Sequence, residues 1–281
     1  MNIYTVNKTT LIDFPGHLAA SVYTGGCNMR CIYCHNAPLV TGVASLETIS
    51  EDEFFAFLDK RKKILHGVCI SGGEPTLSPD LPDFIDRIRS YDLKIKLDTN
   101  GTNPDIILDL ITSKRVDMIA MDIKSYPEDY ARICGIDAFI ESSDNPDISY
   151  DKKNSGNIDL SDDKIISGNK KTTNSRGNRI NIHNRGSYIN IEDIKRSTEI
   201  IMKAPIDYEF RTTVPAGIFS ADDMVRIGQW LRGAKAYFLQ AFRASDTCMT
   251  QGLEEPSMEE MESLRSAILP YVPSASIRGI N

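Results

Sequence analysis

The sequence predicts an α/β protein, a partial (β/α)6 TIM-like barrel that stays open and carries a long insertion. Two observations lead there. Apolar, β-rich runs alternate with stretches of helical periodicity across short connections, which implies a parallel sheet with crossover helices. Six such units then fall about two short of the number that closes an eight-stranded barrel. With 281 residues and 41% apolar content, the chain is long enough to bury a substantial core.

The elements follow in order. Strand Leu18–Thr24 opens the alternation and helix Glu51–Leu65 follows it. Strand Val68–Ser71, helix Pro79–Tyr91, strand Lys94–Asp98, helix Pro104–Ser113 and strand Val116–Ile123 continue it. After a break the rhythm resumes with helix Ile191–Lys203, strand Tyr208–Val214, helix Ala221–Arg232, strand Ala236–Gln240 and helix Ser257–Leu269. Ala275–Ile280 is read as a last strand. The basic run Lys60–Lys63 closes the helix at Glu51–Leu65, where cations suit a helix C-terminus and solvent.

The break, Glu141 to Asn190, differs in kind. It holds nine Asn and eight Ser and lacks Val, Ala, Met and Phe, so it buries too little apolar surface to offset its ordering entropy. We expect a single domain over residues 1–281, interrupted at about 141–190 by this mostly disordered insertion, either a solvated loop or an arm over the site. The net charge of −7 argues against a general nucleic-acid binder. No apolar run reaches the length of a membrane span and the N-terminus lacks a secretory pattern, so a cytoplasmic protein is expected. Six cysteines in that compartment read as metal ligands and free thiols.

Three of them, Cys27, Cys31 and Cys34, are spaced x3 and x2 on one loop after the first strand. A four-iron cubane held by three thiolates keeps one iron open for a substrate. Half a zinc site, with His35 beside Cys34, or three unrelated thiols, are the alternatives. Further motifs sit at successive strand ends, where such a barrel places its chemistry: Ser71-Gly72-Gly73-Glu74-Pro75, Asp98-Thr99, Asp122 and Lys124, and Arg211. The glycines let a ligand approach the backbone, and Glu74 offers a carboxylate to an ammonium group. Asp98 and Asp122 suit a ribose hydroxyl, a small cation or a charged ligand, or else form ordinary strand-end salt bridges and caps. Gln240 and Arg243 are weaker candidates for contact with a peptide. Cys69, Cys134 and Cys248 look scattered.

Cys27-x3-Cys31-x2-Cys34, with Tyr33 before the last cysteine and then Gly72-Gly73-Glu74-Pro75, resembles the radical S-adenosylmethionine (SAM) superfamily. The resemblance implies an open barrel of the radical SAM type and one [4Fe–4S] cluster on Cys27, Cys31 and Cys34, with SAM on its open iron. It implies Gly72, Gly73 and Glu74 at the methionyl end, Tyr33 near the adenine, and Asp98, Thr99, Asp122, Lys124 and Arg211 on SAM or an adjacent cation. No catalytic side chain beyond cluster and SAM is implied.

The opening TTLIDFPGHLAASVYTGGCNMRCIYCHN, then LDTNG, MDIK, DYEFRTTVPAG and LQAFR, kept in order, resembles the activating enzymes of glycyl radical enzymes. The pattern is nearest the activators of anaerobic ribonucleoside-triphosphate reductase, and pyruvate formate-lyase activators share most of it. This implies reductive cleavage of SAM to a 5′-deoxyadenosyl radical, which takes a hydrogen atom from a partner's glycine. A flavodoxin- or ferredoxin-type protein would supply the electron. A radical enzyme acting on a small molecule and a non-catalytic metal module are the rival readings.

Overall fold

The computed structural model describes residues 1–135 and 189–280, with the backbone of 137–139, 172–173, 179–180 and 188. The chain runs β1 (Ile3–Thr10), β2 (Ala19–Thr24), α1 (Ala37–Thr41), α2 (Glu51–Arg61), β3 (Gly67–Gly72), α3 (Leu81–Arg89), β4 (Lys94–Thr99), α4 (Pro104–Thr112), β5 (Met118–Asp122) and α5 (Tyr130–Cys134). It continues with α6 (Ile191–Lys203), β6 (Asp207–Val214), α7 (Ala221–Trp230), β7 (Tyr237–Ala241), α8 (Met258–Ile268) and β8 (Ala275–Arg278). The expected insertion at 141–190 lies outside the described residues, apart from 188–190 and two short backbone strands.

These strands form one eight-stranded sheet in chain order, with β1 and β8 at its edges. β1 is antiparallel to β2, and every later pairing is parallel. The sheet is therefore an open partial barrel, as the alternation implied, with Ala275–Arg278 a true strand beside β7. Of the elements named above, β1, the short α1 and the short α5 escaped the reading. The helix expected to reach Leu65 stops at Arg61, and its exposed basic end meets solvent.

Local chemistry sets the helices. Ser50 caps α2 by accepting the Glu53 N–H at 3.1 Å, with Glu51, Asp52 and Glu53 in the first turn and Lys60 and Arg61 in the last. Ser220 and Asp223 form a reciprocal capping box on α7. The apolar faces of α2 and α3 meet through Phe54, Phe55 and Phe84, with ring centroids 5.5–5.6 Å apart. Helices thus cover one face of the sheet. The opposite face carries Lys96 and Asp98 of β4, Asp122 of β5, and Glu209 and Arg211 of β6, joined in ion pairs. A polar concave face of this kind is built for a ligand rather than for a packed core.

Candidate functional site

The cysteine loop leaves the end of β2 and is moored to the end of β3. The Gly73 N–H donates to the Thr24 carbonyl and the Glu74 N–H to the Gly26 carbonyl, each at 2.8 Å. Asn36 Nδ2 donates to the Gly72 carbonyl at 3.0 Å. Gly72 has φ +118°, and a Cβ there would fall on the Thr24 backbone; at Gly73 it would fall on the Gly26 carbonyl. The two glycines thus let the backbones of the cysteine loop and β3 come close. Gly73→Ala should cost at least about 2 kcal/mol, read as a lower Tm of the iron-free protein.

Glu74 ties the same region together from its side chain. Its carboxylate is 2% exposed and spent on protein donors. Oε1 accepts the Thr76 N–H at 3.1 Å, the Thr76 hydroxyl at 2.5 Å and the Thr99 hydroxyl at 2.8 Å. Oε2 accepts the Asn100 N–H at 2.6 Å. Glu74 therefore knits the ends of β3 and β4 together, mostly through Oε1, while Oε2 takes a single donor. Thr99 belongs to the same knot, since its Oγ1 also accepts the Gly101 N–H at 3.1 Å.

Cys27, Cys31 and Cys34 are free thiols. Burial pushes the Cys27 thiol up to about 12 and raises Cys34, while the neighbouring Cys134 thiol draws Cys31 down to about 7 against its burial. Two donors already face Cys27 Sγ: the Met29 N–H at 3.4 Å and Asn100 Nδ2 at 3.8 Å. They would stabilise a thiolate. Among the described residues no three His, Cys, Asp or Glu side chains converge on one point, as a mononuclear zinc ion demands. A cubane asks otherwise, because each of its thiolates takes a different iron. Three free thiols on one moored loop, one already faced by donors, fit that group.

The strand-end charges form one network. Lys96, buried at 1%, pairs with Asp98. Arg211 pairs with Asp98 at 3.3 Å and with Asp122 at 2.9 Å, and Lys124 pairs with Asp122 at 2.9 Å. Glu209 sits 3.9 Å from Arg211 and 2.9 Å from Arg278. Burial alone would raise both aspartates, but Arg211 with Lys124 holds Asp122 down to about 2, and Arg211 with Lys96 lowers Asp98. Burial works against the charge on Lys124, yet Asp122 keeps its pKa raised. The four cations Lys96, Lys124, Arg211 and Arg278 thus meet the three anions Asp98, Asp122 and Glu209. One positive charge is in excess, and that suits an anionic ligand group.

Tyr33 is 3% exposed, its ring 5.8 Å from the Lys124 ammonium and its hydroxyl 3.4 Å from the Lys124 carbonyl. Ring and hydroxyl both lie beside Lys124. Gln240 lies half-buried on β7, and exposed Arg243 is engaged by Glu255 at 2.7 Å. Sequence reasoning missed Lys96, Glu209, Asn100 and Arg278. Asn100 stands inside the quoted LDTNG stretch and Lys96 just before it, so position was the available signal.

Residues 21–145 match the radical SAM superfamily. A candidate glycyl-radical enzyme activating enzyme of Methanocaldococcus jannaschii is 26% identical over 277 residues, covering 96% of this chain and 92% of that one. The pyruvate formate-lyase-activating enzyme of Clostridium pasteurianum is 29% identical over 154 residues, 51% of this chain and 63% of that one. Among solved structures, Streptococcus suis SuiB bound to S-adenosylmethionine superposes with a TM-score of 0.58 at 10% identity, covering 92% of this chain and 50% of SuiB, a likeness of fold. With an open sheet of this order and a three-cysteine loop at the end of its first parallel strand, the chain carries a radical SAM domain over residues 21–145 and is an enzyme whose cofactors are a [4Fe–4S] cluster and S-adenosylmethionine.

Proposed function

We propose that this enzyme installs a glycyl radical on a partner protein, and that the partner is anaerobic ribonucleoside-triphosphate reductase. The observation that carries the reading is the end-to-end match to the Methanocaldococcus jannaschii protein, 96% of this chain against 92% of that one. Open sheet edges support it as well, because an unclosed barrel leaves a side through which a loop of a large partner can enter. A glycine suits that entry, having no side chain to accommodate.

In this reading Cys27, Cys31 and Cys34 hold the cluster. When bound there with SAM, the cluster supplies the electron for C5′–S cleavage and hence the means to remove a hydrogen atom from the glycine. The residues of this chain bind and orient. Lys124 and Arg211 hold the methionyl carboxylate with the surplus positive charge, while Asp98 and Asp122 keep the two cations in place. Gly72, Gly73 and Glu74 set the position of the cysteine loop relative to that charge. Gln240 and Arg243 line the rim where the peptide enters. The electron donor is a flavodoxin- or ferredoxin-type protein, and the setting is the cytoplasm. Among the described residues no helix is long and apolar enough to cross a membrane.

The test is direct. The anaerobically reconstituted, reduced protein is mixed with SAM and the candidate reductase, and paramagnetic resonance is recorded. A glycyl doublet that needs all components is expected. Methionine and 5′-deoxyadenosine formed in quantity, with no radical on any glycyl radical enzyme, would replace this reading by a small-molecule substrate.

A further inference from the structure

The loop Arg30–His35 is held from both sides by segments remote in sequence. On one side, the Arg30 N–H donates to the Cys134 carbonyl at 2.7 Å and the Ile32 N–H to the Ile133 carbonyl at 3.0 Å. On the other, the loop's carbonyls are taken by the segment after β7. The Thr250 N–H donates to the Ile32 carbonyl and the Met249 N–H to the Cys34 carbonyl, both at 3.0 Å. The Thr247 hydroxyl donates to the His35 carbonyl at 3.0 Å. Cys248, buried between them, points its thiol at the Ile32 carbonyl at 3.8 Å. Phe242 stacks on His35 with centroids 5.0 Å apart. The cysteine loop thus behaves as the middle strand of a small three-stranded arrangement.

We infer that residues Thr247–Thr250 are a latch that positions the cluster-bearing loop, so that retention of the cluster depends on this C-terminal segment. The physical reason is the loop's own poverty of local structure. Within it the described backbone bond is the single turn from the Cys34 N–H to the Cys31 carbonyl at 3.0 Å. Three thiolates must nevertheless be presented to three irons at set separations, and a loop free to change shape would lose that geometry first. The latch is anchored in turn, since the Ala244 N–H reaches Glu255 at 3.2 Å and Arg243 pairs with the same residue at 2.7 Å. Met249 and Thr250 act through backbone donors, so their side-chain identity says little about the role. The inference rests on Cys27, Cys31 and Cys34 holding the cluster.

Thr250 is exposed, so Thr250→Ala keeps the N–H and changes little else, whereas Thr250→Pro removes the donor to Ile32. Each reconstituted protein is compared for iron and sulfide content, for the rate at which a chelator bleaches the reduced cluster, and for the paramagnetic resonance of that cluster. The Tm of the iron-free protein is followed alongside. Thr250→Pro should lose its cluster about tenfold faster than wild type, the size expected for one lost backbone hydrogen bond to the loop. Its resonance should also be altered, while Thr250→Ala matches wild type in both. If Thr250→Pro does not fold, the pair Thr247→Val and Thr247→Ser decides, with faster loss expected for Val and recovery for Ser. Equal bleaching rates in the deciding pair would overturn the latch. Wild-type protein without iron after reconstitution would instead overturn the assignment of the cluster to the loop.

Discussion

Cys31→Ala is expected to leave the protein folded and without its cluster. Cys31 is 7% exposed, and alanine loses only a thiol's volume there, so the fold should survive with a modest loss of stability. The loop would then offer two thiolates, and a cubane bound by two loses far more than the about 10–100-fold in metal affinity that removal of a mere supporting group costs. Iron and sulfide after reconstitution should fall close to zero, with the visible absorbance and SAM cleavage lost together. Cys27→Ala and Cys34→Ala should do the same. The contrast lies in the other thiols. Cys69 faces Lys96 at 3.9 Å on β3, and Cys134 and Cys248 sit on segments that hold the loop by their backbones. Alanine at any of these should keep the iron. Loss of iron from Cys134→Ala as great as from Cys31→Ala would make Cys134 a ligand and remove the open iron on which the proposed chemistry depends.

That contrast also shows what the sequence made legible. Three thiolates within eight residues, Cys27 to Cys34, declare themselves because their spacing is local. The parallel strands were equally plain, since β3 is buried from Gly67 to Ile70 and reads as a continuous apolar run. β1 was not, because Asn7, Lys8, Thr9 and Thr10 break its apolar pattern and it is recruited by pairing with β2. Cys134 and Cys248 looked scattered for a related reason. They return to the cysteine loop through contacts spanning on the order of a hundred residues or more, which no local pattern records.

Roles were harder to read than places. Glu74 was located correctly at a strand end, but its four donors come from Thr76, Thr99 and Asn100, and a carboxylate so engaged holds the scaffold. Lys96 was passed over because lysines are seldom fully buried, although its partner Asp98 stands two residues on along the same face of β4. Function here was carried by residue type and spacing. The division of labour between ligand and scaffold had to come from the three-dimensional network.

Arg211→Met tests that division most severely. The arginine is 12% exposed by its side chain and touches Asp98, Asp122 and Glu209. Breaking a buried pair by removing one partner costs about 3–5 kcal/mol, and the lower end is expected here. Each carboxylate keeps another cation: Lys96 for Asp98, Lys124 for Asp122 and Arg278 for Glu209. The network would then hold three positive and three negative charges, and the surplus that suits a methionyl carboxylate would be gone. SAM affinity should therefore fall by about 10–100-fold, a loss of about 1.4–2.8 kcal/mol, measured by equilibrium binding to the cluster-loaded protein. Arg211→Lys keeps the charge without the fork and should lie between. Acid sensitivity gives an independent reading. Asp122 is held at about 2, so its stabilisation is present above the ordinary aspartate value of about 4 and is lost as the pH falls toward 2. Without Arg211 the opposing effect of burial gains ground, that window moves to higher pH, and acid unfolding should begin earlier. If Arg211→Met unfolds earlier in acid yet binds SAM as wild type does, the network is scaffold alone and the methionyl carboxylate must be held elsewhere.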